Sequence, residues 1–441
     1  MIRSAAFLCA ATLAFAAAGP GIARPQASAQ APADAAATVS AARKLIADRY
    51  VVPETAARLD AALAAAEGQG AFHGLSGEAL ADRLTAEMRE VTADGHLYAI
   101  YDPRGAAEFA AAPPPEEGGL PEGYARAVER GNGGVRKLEV LPGNIRYLEY
   151  DGFDWGTPAA EAAIETAMRF LQGGDAAIID LRGNGGGSPE AVAALTSYFL
   201  PPGTKLARFE MRGRPGEATE TSPVPFTLAG KPVYVLIGRN SFSAAEEFAT
   251  HVSAFGFGTL VGANTGGGGF RNDLLPLPGG IVLSVSTGRP VHSVTGGDWE
   301  RVGVAPAIAV PEAEALAAAM AAAMADVAER APAAERAEAE RLLAFYRAQA
   351  ERAAPALPLA AYEGRYGERI VRLAEGTLTS AREGRAPVEL VPVASDTFAP
   401  VSAPTQHFRF VSEGGNVVAL EVDNGERGSQ RAERRPLGEA G

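Results

Sequence analysis

Cysteine is almost missing from this chain of 441 residues: Cys9 is the only one, and it lies in an apolar N-terminal stretch. That excludes an intramolecular disulfide, a thiolate metal site and, beyond the N-terminus, a cysteine nucleophile. Histidine is scarce as well, with five positions, His73, His96, His251, His292 and His407. No cluster of His, Asp and Glu stands at metal-ligand spacing, so no metal site is expected. Positive charge is also short. Forty Lys and Arg face 53 Asp and Glu, a net charge of −13, which argues against nucleic acid or an anionic membrane as partner. After the N-terminus no run of about 18 apolar residues is free of charge, so no membrane span is expected.

What is present is an ordinary globular composition, 47% hydrophobic and 21% charged, in a chain long enough for two or three cores. Residues 1–29 read as a signal peptide: Arg3, an apolar run over Ala5–Ala18, and small-residue cleavage sites at Ala16–Ala18 and Ala27–Ala29. A periplasmic or secreted protein is therefore expected. Helical periodicity over Thr38–Tyr50, Glu54–Glu67 and Ser76–Val91 predicts an N-terminal helical domain over 30–105. A Pro/Gly/Ala-rich stretch predicts a linker over 106–134.

From 135 to 330 strands alternate with helices, which predicts an α/β core. Asn144–Tyr150, Ala176–Leu181, Val233–Ile237 and Thr259–Gly262 read as strands. Thr157-Pro158 and Ser188-Pro189 read as N-cap and first residue of helices. A connecting helix is predicted over 331–355. Short alternating runs separated by turns then predict a small β domain over 356–441, barrel-like in pattern.

One segment carries a chemical signal, Val233–Phe248, which reads as strand, polar turn and helix beginning at Ser243. A serine there has its Oγ lifted off the sheet edge and sits at the positive end of a helix, the placement an acyl-transfer nucleophile needs. Such a serine needs a base. His251 lies eight residues along the same helix, about 12 Å away at 1.5 Å per residue, too far to serve. His96, in Asp94-Gly-His-Leu97, and His292, in the loop region before Gly297, remain candidates. Glu300, Asp94 and Glu246 are candidates to hold the base's second nitrogen. The glycine turn Ile178–Gly187 ends at the Ser188 cap, so the N–H groups of Gly186 and Gly187, with that of Ala244, are candidate oxyanion donors.

These blocks carry a resemblance. Asp94–Leu97, Val140–Asn144, Ile178–Glu190, Lys231–Phe248, Val261–Gly269 and Trp299–Val304 resemble the S41 serine peptidases, the tail-specific or carboxy-terminal-processing family. They are most like the branch of interphotoreceptor retinoid-binding protein and the tricorn core. The resemblance implies a ClpP/crotonase-like ββα spiral core with a helical N-terminal domain. It puts the nucleophile on Ser243. The processing branch pairs that serine with a lysine, and Gly268 stands at the lysine position here; the tricorn-like branch uses His and Glu, which fall on His96 and Glu300. An additional serine of that branch corresponds to Gly95. No segment reads as a PDZ domain. A serine peptidase without cofactors, acting on a peptide or protein, is the implied function. The rival is an inactive relative that binds peptides or apolar, retinoid-like ligands.

Overall fold

A computed structural model describes residues 35–111, 122–423 and 428–437. The predicted leader over 1–29, with Cys9, lies outside the described residues. Three helices open the chain, α1 (Ala35–Arg49), α2 (Pro53–Gly68) and α3 (Gly77–Val91), followed by strand β1 (Tyr98–Tyr101). The apolar positions of the three helices (Val39, Ile46, Leu59, Leu63, Leu80, Leu84, Met88) close on Leu277, Ile281, Leu283 and Val285. The helical unit thus shares one core with a sheet rather than standing apart.

Two helices lie where the composition reads as a linker: α4 (Pro103–Ala111) and α5 (Glu122–Arg130). Pro and Gly suggested irregular chain, yet Asp102-Pro103 is a helix start. The Asp102 carboxylate accepts from the Gly105 N–H at 2.9 Å, and proline suits the first helical position.

The α/β core follows as β2 (Val135–Leu141), β3 (Ile145–Tyr150), α6 (Pro158–Gln172), β4 (Ala176–Asp180), α7 (Pro189–Thr196), β5 (Lys205–Met211), β6 (Glu217–Glu220), β7 (Val233–Ile237), α8 (Ala244–Phe255), β8 (Thr259–Gly262), β9 (Arg271–Leu277), β10 (Ile281–His292) and β11 (Ile308–Ala309). Six strands form one sheet in the order β11-β8-β7-β4-β3-β2, parallel except for the β2–β3 hairpin. A second sheet runs β1-β10-β5-β6, with β9 also paired to β10.

The strand alternation decides which layer each side chain joins. Ala177, Ile179, Val233, Val235 and Ile237 pack under α6, α7 and α8. Ala176, Ile178, Tyr234 and Leu236 face the opposite layer, α9 (Ala315–Arg330) and α10 (Arg336–Glu351). Burial on both faces is why these strands read as continuous apolar runs. The tail is a closed eight-stranded barrel, β12 to β19, from Gly364–Tyr366 to Ser429–Arg435. Its interior is filled by Tyr362, Tyr366, Phe398, Phe408 and Phe410.

Candidate active site

Parallel strands β4 and β7 end side by side, and the turns that leave them meet. Ser241 ties them: its hydroxyl donates to the Leu181 carbonyl at 2.7 Å and accepts from the Gly238 N–H at 3.0 Å. The Phe242 N–H donates to the Asn184 carbonyl at 3.0 Å. Ser243 follows at φ +56°, ψ −118°, a backbone region that side chains other than glycine's enter at a cost. It is the N-cap of α8, not its first residue. Its carbonyl accepts from the Glu246 and Glu247 N–H groups, at 2.9 and 3.0 Å, and its own N–H donates to Glu246 Oε2 at 2.9 Å. The strained geometry is thus held from both ends.

The β4 turn reaches Ser243 because it lacks side chains. A Cβ on Gly186 would lie 2.7 Å from Ser243 Cβ and 3.2 Å from the Ala244 nitrogen. The three proposed oxyanion donors differ, however. The Gly186 N–H is engaged, donating to Asn184 Oδ1 at 2.9 Å, so Gly186 gives close approach rather than a free donor. The N–H groups of Gly187 and Ala244 make no hydrogen bond among the described residues. They point from a glycine turn and from the first turn of α8, where the helix dipole is positive.

His96 comes from the helical unit. Asp94 fixes its loop: one carboxylate oxygen accepts from the His96 N–H at 2.8 Å, the other from Tyr50 Oη at 3.0 Å and Ser286 Oγ at 2.6 Å. Asp94 therefore holds the backbone, not the imidazole. The His96 ring lies against Phe242, centroids 4.7 Å apart and tilted by 34°. Its Nδ1 is buried without a partner. Burial pushes the imidazole down to about 4, with Asp94 pulling the other way, so His96 is neutral at neutral pH. No hydrogen bond joins it to Ser243 or Glu300 among the described residues.

Glu300 approaches from the loop after β10. Its Oε2 accepts from the Gly269 and Phe270 N–H groups at 2.8 and 3.2 Å, and its Oε1 is buried without a partner. Burial, then the nearby Asp94 charge, push its carboxyl up to about 7, against the two N–H donors. Asp94 acts on both His96 and Glu300.

The run Thr265–Gly269 joins these parts, and its glycines alternate in what they touch. Gly266 and Gly268 face the Phe242 ring, while Gly267 and Gly269 lie against the Arg301 and Glu300 backbone. Glu246 anchors the run, accepting from Thr265 Oγ1 at 2.6 Å and from the Gly267 and Gly268 N–H groups, each at 2.7 Å. Glu246 was a candidate to orient the base; instead it ties the nucleophile turn to this loop. The Ser-x-x-Glu spacing 243–246 was the legible hint of that, as a capping box.

His292 lies elsewhere. Its Nε2 is 3.0 Å from His251 Nδ1, and His251 sits roughly two turns along α8 from Ser243. His292 Nδ1 accepts from the Val294 N–H at 3.1 Å, so both ring nitrogens are engaged and none is offered to Ser243. Of the two histidine candidates, only His96 contacts the residue beside Ser243.

Residues 144–310 match the model of peptidase family S41, and residues 30–126 match that of the N-terminal domain of peptidase S41 in eukaryotic interphotoreceptor retinoid-binding protein. The chain belongs to peptidase family S41. The first segment carries Gly186, Gly187, Ser243, Ala244 and Glu300, and the second carries His96. Over 144 residues the chain is 30% identical to the carboxyl-terminal-processing protease of Picosynechococcus sp., covering 32% of this chain and 33% of that protein. Over 152 residues it is 32% identical to the tail-specific protease of Haemophilus influenzae, covering 32% of this chain and 21% of that one. The matched segment thus spans a third or less of these S41 relatives. Among solved structures, the tricorn protease aligns with a TM-score of 0.43 at 14% identity, over 66% of this chain and 36% of that one.

Proposed function

We propose that this S41 chain is a serine peptidase that cleaves peptide or protein substrates through an acyl-enzyme. The observation that carries the reading is Ser243, held at positive φ on the α8 N-terminus, with the Ala244 N–H unengaged next to it and the Gly187 N–H unengaged on the turn whose Gly186 packs against it. In this mechanism Ser243 Oγ attacks the scissile carbonyl while His96, neutral at working pH, takes the hydroxyl proton. The carbonyl oxygen gains negative charge and is met by the Ala244 and Gly187 N–H groups. His96 then gives the proton to the leaving amine, and water repeats the sequence in reverse to free the acid. Glu300 Oε1 and His96 Nδ1, each buried and unpartnered, are complementary: a carboxylate there orients the ring and stabilises the imidazolium. No step requires a metal or an organic cofactor. Export is part of the proposal, with residues 1–29 removed as a signal peptide and the protein placed in the periplasm or outside the cell; among the described residues no helix is long and apolar enough to cross a membrane.

A fluorophosphonate probe tests the central claim. Wild type is expected to label and to hydrolyse peptides, and Ser243→Ala to do neither. Labelling that survives in Ser243→Ala sinks the assignment. A second reading has one observation in its favour, the Phe242 ring against an imidazole that makes no hydrogen bond to Ser243. It is an inactive S41 chain that binds peptides or apolar, retinoid-like ligands. That reading expects ligand-dependent Trp155 or Trp299 fluorescence with no labelling at all.

A further inference from the structure

Phe242 has no part in the chemistry above, yet its ring lies among the loops that carry His96 and the Thr265–Gly269 run. A Cβ on Gly95 would lie 2.7 Å from its ring, on Gly266 2.8 Å, and on Gly268 2.2 Å. Real Cβ atoms do not approach so closely, so three glycines from two separate loops leave room for this one ring. The loops are themselves fixed. The Gly266 N–H donates to the Ser241 carbonyl at 3.1 Å, and Gly268 is held by Glu246. Asp94 fixes the loop of Gly95 through the His96 N–H. The Phe242 backbone is locked too, its N–H on Asn184 and its carbonyl accepting from the Ala245 N–H at 3.1 Å. On this held ring rests the His96 imidazole, 4.7 Å between centroids.

We propose that Phe242 is the positioning residue for His96: its glycine-caged ring sets the imidazole's orientation and keeps water from it. The proposal rests on the peptidase reading, since it is the candidate base that is positioned. A ring fixed by the turn that strains Ser243 couples the base to the nucleophile without a hydrogen bond between them. It also accounts for Gly95 and Gly268 together, since a side chain at either position would displace the ring. Asp94 is the charged group acting on His96, and its charge acts on Glu300 as well.

The test reads His96 directly, by NMR titration of 13Cε1-labelled histidine in full-length protein, with the His96 signal assigned by its loss in His96→Gln. In wild type the midpoint is expected near 4. Phe242→Ala, which admits water, is expected to raise it by at least about one pH unit toward the ordinary histidine value. Gly268→Ala, which pushes the ring aside, is expected to move it the same way. The double variant is expected to add little to either single change, because both act through one ring. Phe242→Leu, which keeps most of the bulk, is expected to stay near wild type. Phe242→Ala is also expected to slow fluorophosphonate labelling on the order of tenfold, as misplacement of a reacting group does. An unchanged midpoint in both Phe242→Ala and Gly268→Ala overturns the proposal, as do fully additive shifts. If Phe242→Ala does not fold, Gly268→Ala against Phe242→Leu gives the same decision. A wild type that fails to label removes the peptidase reading alone, and the midpoint shift still decides the role of Phe242.

Discussion

At Ser243 the backbone carries a conformation that glycine would adopt freely, at φ +56°, ψ −118°. Its hydrogen bonds to Glu246 and Glu247 hold it there, and a strained non-glycine residue of this kind costs about 1–3 kcal/mol. A glycine relieves that strain but raises the entropy of the unfolded chain by about 0.4–1 kcal/mol. Ser243→Gly is therefore expected to stabilise the protein by about 1 kcal/mol while abolishing labelling. Denaturant melts of the two proteins check it, and a clear loss of stability in the variant contradicts the strain argument. The serine itself was legible in the sequence, because a buried apolar strand, a polar turn and a Ser-x-x-Glu start stand in direct succession. His96 was legible only as one of two histidines. What separates it from His292 is which elements fold against the β7–α8 turn, and no local pattern holds that information. Phe242 was invisible for a related reason: its partners Gly95, Gly266 and Gly268 come from distant loops and are marked only by the side chains they lack.

At the scale of the element, α8 buries ionisable side chains, which are rarely fully buried unless paired. Glu246, Glu247 and His251 are all buried along it. Glu246 is satisfied by its loop donors, whereas Glu247 Oε1 and His251 Nε2 stand 3.6 Å apart, each without a hydrogen bond. Burial first, then the Glu190 charge, push the Glu247 carboxyl up to about 8, with Arg271 acting the other way. The sign of the stability effect follows from that direction. The folded protein holds a proton on Glu247 that the unfolded chain releases near 4.5, so stability falls as pH rises from there to about 8. His96, His251 and His292 are pushed down to about 4, about 3 and about 4, so near pH 6.5 only the unfolded chain takes up their protons, and this opposite slope fades above about pH 7.5. Between pH 7 and 8 the loss from Glu247 is expected to be about 1 kcal/mol, with a smaller part of the same sign from Glu300, pushed up to about 7. Glu247→Gln is expected to flatten it. Chemical denaturation at pH 6.5, 7 and 8 reads both slopes, and parallel curves for the two proteins would refute the assignment. The helix was predicted from the sequence, but the burial of Glu247 and His251 along it was not. Helical periodicity reports where apolar residues recur; it does not show that a second sheet covers the remaining face.

At the scale of the whole molecule, the near-continuous apolar runs that revealed β4 and β7 also revealed the layers, since both strands are buried at every position, with Asp180 the one charged residue, and must be covered on both faces. The tail strands pair in chain order, which short alternating runs convey as barrel-like; the closing pair of β12 with β19 joins distant segments and is not written in any local pattern. The barrel is not tied to the site: Ser243, His96, Glu300 and Phe242 have their partners in the helical unit and the two core sheets. It is tied to the far layer. Ala399, Val391 and Val393 of the barrel join the cluster that holds Leu342, Phe345 and Tyr346 of α10, and Arg341 pairs with Asp423 at 2.7 Å. Removing the barrel by ending the chain near Ala353 therefore uncovers an apolar face of α10 while leaving the nucleophile turn intact. Exposing two or three such side chains costs about 1.5–3 kcal/mol each. The truncated chain is expected to melt several degrees lower and to bind a hydrophobic dye. It is also expected to label at Ser243 at close to the wild-type rate below its melting range. A truncated chain that stays folded but fails to label would place part of the working site in the barrel, against the separation these contacts describe.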